Sequence, residues 1–218
     1  MKIKSVNKLN DLIDEDLSWR KIEISSTKKI IQKANGLAKE TALRAGVALL
    51  YAHWEGSIKN MCTYYLTYVS QLKLPYSQLK DNFVALAMKK KITEFNTTHK
   101  NEYHTQFIGE IFSCKNQQAK IPCESIINTE SNLNSIVFMN IMNTIGLSYT
   151  EYSLKFKLID EVLLANRNSI AHGEKISYYI DEDRYFELCE KIIEIIDKVS
   201  IQILNAAVQK EYLSSRTS

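Results

Sequence analysis

Tyr185-Phe186-Glu187-Leu188-Cys189-Glu190-Lys191-Ile192-Ile193-Glu194-Ile195-Ile196-Asp197-Lys198-Val199-Ser200-Ile201-Gln202-Ile203 decides the fold class of this chain. Tyr185, Leu188, Ile192, Ile195, Val199 and Ile203 recur at steps of three and four residues, with charges between them. That repeat draws one apolar stripe along a helix. It predicts a helix from Glu182 to about Gln209.

The same repeat extends through the rest of the chain. Lys39 to Gln71 is dense in apolar positions (Leu43, Val47, Leu50, Trp54, Ile58, Met61, Tyr65, Val69), which predicts a second helix largely buried and ended by Pro75. Val6 to Ala34 reads as one or two amphipathic helices, with Asn10 or Asp11 as early caps. Tyr76 to Phe95 reads as partly helical, with Phe83, Leu86 and Ala87 on one face. Further helices are expected at Ser135–Leu147 and Tyr152–Ala171. Between them, residues 96–134 accumulate Asn, Thr, Gln, Ser and Lys, and read as a polar, partly irregular insertion with a short helix near Phe107–Phe112. Two prolines and six glycines leave little material for tight turns. The expectation is an all-α bundle of long helices forming a single domain over residues 1–218.

Composition excludes several function classes. The net charge of +3 and pI near 8.5 are too mild to argue nucleic-acid binding on their own. No segment reads as a membrane span or a signal peptide. Cys62, Cys114, Cys123 and Cys189 are scattered and form no CxxC pair, so a cytoplasmic protein with reduced thiols is expected. Neither the His99/His104 spacing nor the Cys114/Cys123 spacing suits a structural zinc site, so no metal and no cofactor are expected.

One stretch carries chemistry: Arg167-Asn168-Ser169-Ile170-Ala171-His172-Gly173. Arginine grips a phosphate with two parallel hydrogen bonds, and histidine gives and takes protons near neutrality. On a regular helix, side chains five apart point about 140° from one another. Arg167 and His172 can therefore converge on one phosphate only if the helix ends or distorts near them. Gly173 supplies such an end. The ordinary reading of the pair is a surface arginine and a helix-ending histidine. Lys89, Lys90 and Lys91 are ordinarily a solvated face, and in a ribonuclease would hold phosphates nonspecifically. His53 reads as a structural neighbour in its helix, and Trp54, Tyr64, Tyr65 and Tyr68 as core or interface aromatics.

Arg167-Asn168…His172-Gly173-Glu174 resembles the Arg-x4-6-His signature of HEPN-domain proteins. Leu43-Arg44-Ala45-Gly46-Val47-Ala48-Leu49-Leu50-Tyr51-Ala52-His53-Trp54-Glu55-Gly56 resembles the second helix of the MAE-type (RiboL-PSP-HEPN) branch. Asn132-Leu133-Asn134-Ser135 and Lys157-Leu158-Ile159-Asp160 are similar to that branch as well, and the likeness spans about Asp16 to Ile203. It implies a helical bundle that forms a homodimer, with two Arg/His pairs in one cleft, acting as a metal-independent endoribonuclease of the toxin or phage-defence kind. RNA would be the substrate, and an antitoxin or other regulatory protein a partner. Carried over, Arg167 and His172 are catalytic, Asn168 orients or contacts phosphate, and Glu55 is the additional polar residue near the pair. Where one HEPN subgroup has a tyrosine modified by its antitoxin, this chain has Glu174, so that form of control does not carry over. The alternative is a catalytically silent HEPN module binding RNA, nucleotide or a protein partner.

Overall fold

A long central helix organises the molecule. In the computed structural model, which describes residues 1–174 and 180–215, the chain forms α1 (Val6–Lys33), α2 (Gly36–Gln71), α3 (Asp81–Thr97), α4 (Asn101–Ser113), α5 (Ser135–Thr144), α6 (Ala165–Ala171) and α7 (Glu182–Val208). Helix α2, about 54 Å long at 1.5 Å per residue, packs against α1, α7 and α6. It buries Tyr51, Trp54, Ile58, Met61, Cys62 and Tyr65 among others, so its apolar residues are spread around the axis rather than gathered on one stripe. The expected stripe of α7 is buried in full at Tyr185, Leu188, Ile192, Ile195, Val199 and Ile203. One hydrophobic cluster runs through the core from Ile3 to Tyr212. The fold is the all-α bundle that the periodicity implies. Among the described residues, no helix is long and apolar enough to cross a membrane.

Three expectations are corrected. Helix α1 is a single helix capped by Ser5, whose hydroxyl accepts from the Lys8 amide at 3.2 Å. Asn10 and Asp11 lie inside the helix, and Asn10 donates to Asp14 one turn on. The stretch ahead of α6 is not regular α-helix. It comprises a 3₁₀ stretch at Thr150–Lys155 and π-helical turns at Leu158–Leu164, and α6 proper is confined to Ala165–Ala171. The widened turns shift the side-chain phase, so Leu163 and Leu164 both point inward and Arg167 and Asn168 reach the edge. In the insertion, the helix near Phe107 spans the whole of α4, and the irregular residues after it are anchored. Ala119 donates to the Leu74 carbonyl at 2.9 Å, and Ala119, Ile121, Ile127 and Leu133 are buried.

The α1–α2 seam holds a buried polar network. Arg20 binds Asp16 through two hydrogen bonds of 2.8 and 3.1 Å, and Asn60 donates to the same carboxylate at 2.8 Å. Gly56 makes room for this arginine, since a Cβ there would stand 2.8 Å from its guanidinium. Alongside lies His53, 2 % exposed, its ring edge-on to Trp19. Its Nε2 stands 3.0 Å from a Glu23 carboxylate oxygen without the alignment of a hydrogen bond.

Burial pushes the His53 imidazole below its ordinary range. Glu23 and Asp16 oppose that shift, and Arg20 adds to it. The unfolded chain therefore binds a proton at His53 more readily than the fold does. Stability from this group is complete above the ordinary histidine value of about 6.5 and falls as pH drops below it. Melting temperature should decline as pH drops below about 6.5, and His53→Phe should flatten that decline. An equal decline in the variant would place the sensitivity elsewhere.

Candidate active site

The Arg167–His172 stretch sits where α6 lies against the middle of α2. Asn166 and Ser169 form the inner face of α6 and are buried, while Arg167 and Asn168 lie half-buried at its edge. The Arg167 guanidinium packs over the Tyr51 ring, its Cζ 4.6 Å from the ring centre. One of its terminal nitrogens donates to the Asn168 carboxamide oxygen at 2.9 Å, and the other to the Ser131 carbonyl at 3.4 Å. Asn168 thus holds its neighbour in place.

The helix ends as the site requires. His172 is the C-cap, with φ −85° and ψ 2°, and Gly173 follows at φ +73°. The Gly173 amide reaches back to the Ile170 carbonyl at 3.1 Å, and the Glu174 amide to Ser169 at 2.8 Å. The His172 amide still donates to the Asn168 carbonyl at 3.0 Å, the last bond of the helical ladder, and its imidazole is exposed beside the turn. A Cβ at Gly173 would meet nothing within 4 Å, so only the backbone angle demands glycine. Gly173→Ala should cost about 1–2 kcal/mol in urea unfolding, and Gly173→Asn less, because asparagine tolerates the left-handed region. Equal losses in the two variants would show that the angle is not what matters.

Neighbouring segments are clamped around this helix. The Tyr51 hydroxyl accepts from the Leu133 amide at 2.6 Å, and the Trp54 indole donates to the Leu133 carbonyl at 3.2 Å. The Asp160 carboxylate accepts both the backbone amide and the hydroxyl of Ser135 at the start of α5. The segment before α5 is therefore fixed to α2 and to the π-helical turns, and it presents the Ser131 carbonyl to Arg167. Burial first, and then the charge of Glu55, pushes the Tyr51 hydroxyl up to about 12, against the pull of Arg167. Glu55 and Arg167 thus act on the same tyrosine in opposite directions.

Arg167 and Glu55 meet at Tyr51, Asn168 is bonded to Arg167, and His172 is exposed at the end of the same helix, whereas Lys89, Lys90 and Lys91 lie apart from them. Those lysines lie on α3, where Lys91 is paired with Glu110 of α4 and Lys90 lies 3.9 Å from Glu94. The histidines and cysteines of the insertion also stay apart. His104 Nε2 sits 3.1 Å from the Phe95 and Thr98 carbonyls, and the Cys123 thiol faces the Leu66 carbonyl at 3.9 Å. Among the described residues, no three His, Cys, Asp or Glu side chains converge as a metal site.

Comparison with known proteins settles the family. The RiboL-PSP-HEPN family model matches residues 15–205. The chain belongs to the RiboL-PSP-HEPN family. No curated protein and no solved structure matches it. Membership in this HEPN family points to a ribonuclease or nucleotide-binding role, and HEPN domains commonly dimerise and bind RNA. Sequence reading missed Tyr51, which holds Arg167, and Arg44, whose Nη1 donates to the Glu174 carbonyl at 2.9 Å just beyond His172. Their signal was spacing. Arg44, Tyr51 and Glu55 fall at i, i+7 and i+11, on one face of α2.

Proposed function

We propose that this HEPN protein is a metal-independent endoribonuclease, a toxin or phage-defence effector, working in a homodimer whose two Arg/His pairs share one cleft. The observation that carries this reading is the end of α6, where an arginine held on Tyr51 and Asn168 is followed by a turn that exposes His172.

The reaction is a transesterification. Neutral His172 of one subunit takes the 2′-hydroxyl proton, and that oxygen forms a bond to the adjacent phosphorus. The bond from phosphorus to the 5′-oxygen breaks, and protonated His172 of the other subunit delivers a proton to the leaving oxygen. The two imidazoles exchange protonation states, leaving a 2′,3′-cyclic phosphate and a 5′-hydroxyl. Arg167 stabilises the charge that builds on the phosphoryl oxygens. DNA, lacking the 2′-hydroxyl, is not a substrate. Asn168 keeps the guanidinium aimed, and Glu55 acts through Tyr51 to hold the same platform. Lys89, which makes no ion pair among the described residues, is left with Lys90 and Lys91 as a peripheral phosphate contact.

The bonds that engage Arg167 within its own chain support a second reading, a silent module that binds RNA, nucleotide or a protein partner. The exposed His172 favours the enzyme. Total cellular RNA incubated with the protein in EDTA should be cut by wild type and left whole by Arg167→Ala and His172→Ala. Intact RNA with all three folded proteins would favour the silent module.

A further inference from the structure

Two arginines on the bundle face opposite electrostatic situations. Arg20 is buried and neutralised by Asp16 at 2.8 Å. Arg44, half-buried, has no carboxylate paired with it among the described residues, although Glu40 lies one turn before it on α2. It donates instead to a neutral carbonyl, that of Glu174, which takes one of the five N–H donors a guanidinium carries. Arg167 is likewise bonded to neutral oxygens and to the face of Tyr51. A half-buried cation without a counter-charge is held at a cost, and an arriving anion removes that cost.

The placement of these cations matches an elongated anion. Arg44 and Tyr51 are seven residues apart on one face of α2, a rise of about 10.5 Å. Tyr51 holds Arg167 at the start of α6, and Arg44 holds Glu174 just beyond its end, so α6 runs antiparallel to this stretch of α2. The exposed His172 lies on the stretch of chain between the two anchor points. A compact phosphate would engage one guanidinium. A strand carrying successive phosphates would engage both, with the scissile linkage at His172.

We infer that Arg44 is a substrate-binding residue which, with Arg167, clamps the phosphodiester backbone of single-stranded RNA on either side of His172. The inference rests on the ribonuclease reading for the identity of the substrate. The arginine fork suits phosphate oxygens, and its bond to the Glu174 carbonyl leaves donors to spare. That bond also offers a rival role, in which Arg44 merely pins the turn.

The test is binding of a fluorescein-labelled, fully 2′-O-methylated single-stranded RNA, which lacks the nucleophile and cannot be cut. Each phosphate contact contributes about 0.7 to the slope of log affinity against log salt for a single strand. Arg44→Gln should reduce that slope by about 0.7 and raise KM for cleavable RNA more than it lowers kcat. Arg44→Lys should keep most of the slope. An unchanged slope in Arg44→Gln, with kcat lowered, would mean a structural pin and overturn the inference while leaving the nuclease intact. Phenylglyoxal labelling of the wild-type protein gives a second measurement that needs no variant to fold. Bound oligonucleotide should shield Arg44, and labelling at an undiminished rate would overturn the clamp. Wild-type protein that binds the oligonucleotide with Arg44 shielded, yet leaves cleavable RNA whole, would refute the nuclease reading and support the clamp.

Discussion

His172→Ala should lower RNA cleavage by about 10²–10⁴-fold, the range that a positioned proton donor or acceptor contributes. The upper end is expected, because in a shared cleft one substitution removes both the base and the acid. The ring is exposed at a helix end, so its loss should change stability by no more than about 0.5 kcal/mol. That separation matters for interpretation. Arg167→Ala removes phosphate stabilisation, about 10²–10³-fold by analogy with a lost oxyanion donor, and also strips a cation from the Tyr51 ring. The histidine variant isolates chemistry, and the arginine variant mixes chemistry with packing. Single-turnover cleavage rates beside thermal melts check both. Retained cleavage in a folded His172→Ala protein would remove the acid–base role.

The largest stability effect is expected at Asp16. Asp16→Ala leaves the Arg20 guanidinium in the α1–α2 seam without its carboxylate and takes the acceptor from Asn60. Both members of the pair are under one-tenth exposed, so water screens the interaction little. Breaking a buried pair on one side costs about 3–5 kcal/mol, because the surviving charge stays desolvated. For a chain of this length that is a fall in melting temperature of about 6–20 °C. Arg20→Met combined with Asp16→Ala should recover much of the loss, since an apolar pair of similar volume often replaces a buried ion pair at little cost. A loss below about 1 kcal/mol in Asp16→Ala would class the pair with surface bridges.

How much of this was legible beforehand depended on the range over which each signal acts. The α7 stripe and the dense α2 pattern are local periodicities, and both helices appear close to their expected limits. The end of α6 was legible for the same reason, because a glycine after a histidine states where a helix stops. The cap of α1 differs from the expected Asn10 or Asp11, since Ser5, just ahead of Val6, is the residue whose hydroxyl takes the Lys8 amide. The π-helical turns were illegible. Leu158–Leu164 reads as ordinary helix, and the commitment of Asp160 to Ser135, 25 residues back, is visible only once the chain is folded. Tyr51 and Arg44 carry no motif of their own. Each gains its role from a partner on α6 or just beyond it, more than 110 positions away in the chain. Long-range pairing, which composition does not encode, is what brings Tyr51 to Arg167 and Arg44 to the end of α6.

End-group analysis of RNA cut by the wild-type protein in EDTA tests the central claim most directly. Attack by the 2′-hydroxyl, with His172 moving the protons, predicts 2′,3′-cyclic phosphate and 5′-hydroxyl termini. Fragments ending in 3′-hydroxyl and 5′-phosphate would mean that water was the nucleophile, and would contradict the account.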